Sequence, residues 1–122
     1  RNFNRNLIIK ELEKNNFVKK NLHIIKENKH VKASWFGIPI ILSKRISRTN
    51  FINKIEKKGV ETRPIISGNF LKQPSVKKYK LKIDKFKNAD FINDHGFFIG
   101  LPTIKMNIKN AKKLVEAFEK SI

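Results

Sequence analysis

Two apolar runs of seven residues, Phe36–Leu42 and Gly96–Pro102, set the strongest limit on what this chain can fold into. A membrane-spanning helix needs about twenty apolar residues, so neither run crosses a bilayer. Both contain Gly and Pro, and both are short enough to be strands closed by turn residues. The first strand is expected over Ser34–Leu42, with Pro39 marking an edge strand or a nearby bulge. The second is expected over Phe97–Gly100, stopped by Pro102.

Between and around these strands lie patterns of helical period. Phe3, Leu7, Ile8 and Leu12 form an apolar stripe in the stretch Asn2–Asn16, and the mixed stretch Phe17–Lys32 offers Val18, Leu22, Ile24 and Ile25 for packing. Ser47 suits the N-cap of a helix from Arg48 to Lys58, with Phe51, Ile52 and Ile55 inward and Gly59 as its stop. Val60–Ile66 reads as a further strand, followed by a Ser67-Gly68-Asn69 turn and a short helix opening at Gln73-Pro74-Ser75. Asn88 can cap a helix over Ala89–His95, closed by Gly96. Asn107 can cap the last helix, whose stripe is Ile108, Ala111, Leu114, Val115 and Phe118. Helices alternating with short strands in 122 residues describe one small α/β (α+β) layer domain, with helices packed on a short sheet.

The formal charge of +18 invites a nucleic-acid reading, since Lys and Arg release counterions from phosphate backbones. Composition favours a simpler source. Lys (23), Asn (14) and Ile (18) supply 55 of the 122 residues, and all three have codons rich in A and T. Arg, the residue of bidentate phosphate and base-edge recognition, occurs five times. The densest basic run, Lys77–Lys87, holds six Lys interleaved with Tyr79 and Phe86. It could line a groove for single strands, and it reads equally as a solvated loop or a blunted sheet edge. With no Cys, the chain can form neither a disulfide framework nor a thiolate nucleophile nor a finger-type zinc site. It opens on Arg1 rather than Met, without a signal-like stretch, and is expected to be a piece of a longer chain.

No self-contained catalytic constellation is visible. His23 and His30 read as surface histidines. Asp90 and Asp94, four apart on one expected helix, could hold a cation or run acid–base chemistry, and a solvated helix face is the simpler reading. The segment Glu61–Phe70 is more informative: Arg63 lies late in a strand, Pro64 follows, and Gly68-Asn69 allows close backbone approach. An Arg on a rigid strand beside a polar turn suits an anionic or carbonyl-bearing ligand, and a structural ion pair accounts for it as readily.

Three blocks in order carry a resemblance: Ser34-Trp35-Phe36-Gly37-Ile38-Pro39-Ile40, then Glu61–Phe70 with Gln73-Pro74, then Asn88-Ala89-Asp90-Phe91-Ile92 leading into Gly96–Gly100. Together they resemble the C-terminal domain of the DegT-type (DnrJ/StrS-like) sugar aminotransferases, and within that family the branch of nucleotide-linked 4-keto-6-deoxyhexose 3-dehydratases of lipopolysaccharide synthesis. The blocks reach from Ser34 to Gly100, slightly over half the chain. The resemblance implies the small α/β domain of a fold-type-I pyridoxal 5'-phosphate (PLP) enzyme, its mixed or antiparallel sheet backed by helices. It implies a connecting helical segment over 1–32 and the small domain over 33–122. It further implies a cytoplasmic homodimer acting on a nucleotide-linked keto sugar, with glutamate as the expected amino donor and no membrane partner.

Carried over residue by residue, the resemblance makes Arg63 and Asn69 cleft-facing polar contacts, Phe70 an apolar wall and His95 a further substrate contact. No residue here is expected to be catalytic, to bind a metal or to hold PLP, since the lysine that carries the cofactor, or the histidine that replaces it in dehydratases, belongs to the large domain. One departure is plain. Leu101-Pro102 follows Gly100 where this branch commonly has an Asn-His-Pro segment, which favours amino transfer over dehydration. The expected function is therefore amino transfer to a nucleotide-linked keto sugar by the complete protein, with the fragment inactive alone. Dehydration at C3 is the first alternative, and a stand-alone basic domain binding nucleic acid is the alternative from another class.

Overall fold

The computed structural model describes residues 1–79, 81 and 84–122. The remaining three positions fall in the basic run Lys77–Lys87, so the groove reading of that run lies partly outside the described residues. Among the described residues, five α-helices and four strands follow in the order α1 (Asn2–Lys14), α2 (Asn16–Asn21), β1 (Leu22–Ile24), β2 (Gly37–Leu42), α3 (Arg48–Glu56), β3 (Thr62–Pro64), α4 (Lys87–His95), β4 (Gly96–Gly100) and α5 (Ile108–Glu119). The strands form one antiparallel sheet in the order β1-β2-β4-β3. The expected helix-backed α+β layer is the observed one. None of the described helices is long and apolar enough to cross a membrane.

Strand alternation explains the two faces of this sheet. Ile38, Ile40 and Leu42 of β2 share a face with Phe97 and Ile99 of β4 and with Thr62 of β3. These side chains are buried against Ile8 and Leu12 of α1, Phe51 and Ile55 of α3, and Val115 and Phe118 of α5. Phe97 sits at the centre, its ring 5.7 Å from Phe51 and 6.4 Å from Phe118 between centroids. Ser47 and Asn107 cap α3 and α5 as expected, each accepting a backbone N–H three residues on. Gly59 takes a positive φ just beyond α3.

The segment 1–32, expected as a connector, shares this core. Ile8, Leu12, Val18 and Leu22 belong to the same apolar cluster, and residues 16–24 supply α2 and β1. Asn4, 1% exposed, donates through Nδ2 to the carbonyls of Pro102 and Ile104 and accepts from the Met106 N–H. It thereby fastens the β4–α5 connection to the start of α1. Arg5 is buried beside it, stacked 4.7 Å over Trp35 and donating to the Ile25 carbonyl, which ties down the long β1–β2 connection.

Four local expectations change. Pro39 lies on an inner strand, not an edge. Its carbonyl accepts from Ile25, just past the end of β1, so its missing N–H falls where that ladder has run out. The strand expected over Val60–Ile66 shrinks to Thr62–Pro64, because Pro64 cannot donate and its partner β4 begins at Gly96 straight out of α4. The helix α4 starts at Lys87, one residue ahead of Asn88, whose side chain caps nothing among the described bonds; the cap position is Phe86. Ile108, expected on the inward stripe of α5, is exposed, and Ala117 takes an inward place instead.

Candidate functional site

The second face of the sheet carries Gly37, Pro39 and Ile41 of β2, Gly96, Phe98 and Gly100 of β4, and Arg63 of β3. Its covering is uneven. Helix α4 runs out into Gly96 and packs on the end near Ile41; a side chain added at Gly96 would meet Ile92 and Ile65. Toward Gly37 and Gly100 the face is partly open. Pro39 and Phe98 are half-buried there, the Phe98 ring lies against Gly37, and Phe36, 65% exposed, meets Phe98 edge-on with centroids 5.4 Å apart. Arg63 stands on this face in register with Phe98 and is exposed; among the described residues it pairs with the similarly exposed Glu61, a contact of small energetic weight in water.

Beyond β3 the chain turns over α4. Phe70, 58% exposed, lines a cavity of about 480 Å³ with Arg48, Pro64, Ile65, Ile66, Ser67, Gln73, Ser75 and Asn93. Arg48 is fixed at its rim by donating to the Gly96 carbonyl at 3.0 Å. Arg63 does not line this cavity and faces the open sheet beside it.

Asn69 points inward. It is 6% exposed, its Nδ2 donates to Asp90 Oδ1 at 2.8 Å, and its Oδ1 accepts from the Leu71 N–H at 3.0 Å. Its side chain supports the turn rather than facing the cavity. His95 ends α4 with its ring 4.7 Å from that of Phe91, and its buried Nδ1 has no hydrogen-bond partner among the described residues. The structure thus brings Asn69 and Phe70 together on one turn, sets Arg63 on the adjoining sheet face, and places His95 at the C-terminal end of α4.

Asp90 and Asp94 share Lys72, whose Nζ lies 3.2 Å from Asp90 and 3.0 Å from Asp94. The Asn69 amide and Lys72 hold the Asp90 carboxyl below its ordinary value, Asn93 and Lys72 do the same for Asp94, and the two carboxylates push Lys72 up. Among the described residues no three or more His, Cys, Asp or Glu converge as metal ligands would. Arg48 and Lys72 are the site residues that the sequence reading passed over. The scarcity of Arg made Arg48 worth following, and the Asp90/Asp94 spacing called for a cation.

The helix-backed four-stranded antiparallel sheet matches the small α+β domain of PLP-dependent enzyme structures. By sequence and by fold the chain is homologous to the C-terminal part of the DegT-type members of that class. It is 38% identical over 85 residues to the GDP-4-keto-6-deoxy-D-mannose 3-dehydratase of Yersinia pseudotuberculosis, a match covering 65% of this chain and 22% of that protein. The enzyme of the same name from Escherichia coli O55:H7 is 33% identical over 79 residues, covering 62% and 20%. A crystal structure of GDP-4-keto-6-deoxymannose-3-dehydratase with a trapped PLP–glutamate adduct superposes with a TM-score of 0.77 at 26% identity, over 94% of this chain and 29% of that one. A Bacillus cereus chain described as a PLP-dependent aminotransferase shares the fold, with a TM-score of 0.75 at 17% identity over 93% and 29%. No family model matches the chain. The chain spans about a fifth of the length of the curated relatives it matches.

Proposed function

We propose that this chain is the substrate-enclosing C-terminal domain of a PLP-dependent enzyme that modifies a nucleotide-linked keto sugar, with 1–32 as the segment that follows the cofactor-binding part. The observation that carries the reading is the partly open sheet face, where exposed Arg63 stands beside the half-buried Phe98 while the opposite face is closed by three helices. An exposed guanidinium on a rigid strand can hold an anionic or carbonyl oxygen. Phe70 forms an apolar wall next to it, and Asn69 serves that wall from beneath. His95 would act only through a change at the end of α4. PLP supplies an electron sink to the sugar when bound; no residue of this chain is assigned to hold it. The work left to these residues is to orient the sugar and exclude water.

Two reactions fit this class. Dehydration at C3 is favoured by the curated relatives described above, which are 3-dehydratases. Amino transfer, the reading expected from sequence, is favoured by Leu101-Pro102 after Gly100. In either case the complete protein works as a cytoplasmic homodimer in surface-polysaccharide synthesis, with glutamate as amino donor. Replacing Arg63 by Ala in the complete polypeptide tests the site: kcat/KM toward the nucleotide-linked sugar should fall by more than about tenfold, the weight of one charge-assisted contact. Unchanged catalytic efficiency in a folded protein would reject the role.

A further inference from the structure

The turn that carries Phe70 has little regular structure to hold it. Between the end of β3 and the short 3₁₀ turn Phe70–Lys72 the backbone bends without a ladder partner, and Ile66 and Phe70 both face water. Ordering such a segment costs conformational entropy at every residue, so something other than apolar burial must hold it. The bonds converge on one helix. Asn69 donates its amide to Asp90 and its backbone N–H to Asn93, while Lys72, at the other end of the turn, reaches Asp90 and Asp94. Gln73 closes the bend by donating to the Ser67 carbonyl. At Gly68, φ is +65°, and an added Cβ would sit 2.6 Å from the Asn93 amide oxygen, so the backbone lies directly on α4. The residues flanking Phe70 are tied down, and the Phe70 side chain is left projecting.

We propose that Asn69, Asp90 and Lys72 are positioning residues that clamp the Phe70 turn to α4 and so set the apolar wall of the proposed sugar cleft. The inference rests on the reading of Phe70 as that wall, and it adds which residues set the wall. The Lys72 pairs are solvent-exposed and individually weak. The Asn69–Asp90 bond is different: a buried amide donates to a half-exposed carboxylate, and losing Asp90 strands the buried Asn69 amide. Asn69 and Asp90 therefore dominate the clamp, and Lys72 tightens it.

The test uses the pair as its own control, by amide hydrogen exchange in this chain. Asn69→Asp sets two carboxylates against each other and should raise exchange at Leu71 and Lys72 by about tenfold relative to β2 and β4. The exchanged pair Asn69→Asp with Asp90→Asn restores a donor to an acceptor and should return exchange close to the parent value. A role in global stability alone would instead raise exchange everywhere, with no rescue specific to the turn. Should Asn69→Asp unfold the chain, Lys72→Met is the milder probe, expected to speed exchange at Lys72 and Gln73 by a smaller factor while β4 stays protected. Parent-like exchange in all single variants, or no recovery in the exchanged pair, overturns the clamp. In the complete polypeptide, Asp90→Asn should raise KM for the nucleotide-linked sugar more than it lowers kcat. If exchange responds as stated and KM does not move, the clamp stands and the reading of Phe70 as a substrate wall falls.

Discussion

The two faces of the sheet are built from the same strands and differ in what finishes them. On one, Phe97 is fully buried among Phe51 and Phe118, and three helices complete the packing. On the other, its neighbour Phe98 stays half-buried, touched edge-on by an exposed Phe36 and flanked by Arg63. Successive residues of one strand thus serve opposite ends. Phe97 holds the domain together, and Phe98 helps present a surface. Substitutions on the first face should register in stability, and substitutions on the second in what the domain contacts.

The sharpest way to break this contrast is to truncate each side. Phe97→Ala should cost about 3–5 kcal/mol, since the cavity left among Phe51 and Phe118 cannot collapse without moving α3 or α5. Denaturant unfolding measures it, and a loss under about 1 kcal/mol would show that the closed face is not the core. Arg63→Ala should change the stability of this chain by less than about 1 kcal/mol, because its ion pair with Glu61 is exposed, even as it lowers the activity of the complete polypeptide. Comparable destabilisation by the two substitutions would erase the distinction. Asn107→Ala removes the cap of α5 and should cost about 1 kcal/mol, read in the same unfolding experiment, with no effect at the turn over α4. Loss of protection at Leu71 in that variant would mean that the two regions are coupled.

The smallest effect is that of pH on the clamp. Asp90 and Asp94 are held below their ordinary value near 3.8, so their contribution is present above that value and fades as pH falls through the lower folded values. Lys72 is held above its ordinary 10.5, so its contribution is complete below that value and is lost only as pH rises beyond it. Relative exchange at the turn, corrected for intrinsic rates, should therefore be flat from about pH 5 to 9 and rise only toward strong acid or base. A change centred near neutrality would assign the turn to another group.

Much of the closed face was legible in the sequence because its signals are local. The stripes of α1, α3 and α5 repeat within a few residues, and Ser47, Asn107 and Gly59 mark helix ends by chemistry that acts across one turn. What escaped was set by distance along the chain. Pro39 reads as an edge residue until β1 is known to stop beside it, at Ile24, fifteen positions earlier. Asn4 looks like any polar residue on a helix until it is found holding the backbone near residue 104. The open face follows the same rule: Arg63 was picked out by its place on a strand before a Pro, whereas the inward turn of Asn69 depends on Asp90, 21 positions later. The resemblance supplied the kind of domain, and only the register showed which face the arginine occupies.

The central claim, that the Arg63 face closes a sugar-binding cleft in a PLP enzyme, is tested most directly by a graft. This chain would replace the homologous C-terminal part of the Yersinia pseudotuberculosis dehydratase, and kcat/KM of the graft would be measured with and without Arg63→Ala. The account predicts a folded, PLP-loaded graft that turns over its nucleotide-linked substrate and loses more than about tenfold with the substitution, a full charge-assisted contact. A graft that loads PLP and turns over substrate equally well with Arg63 or Ala at that position would contradict it.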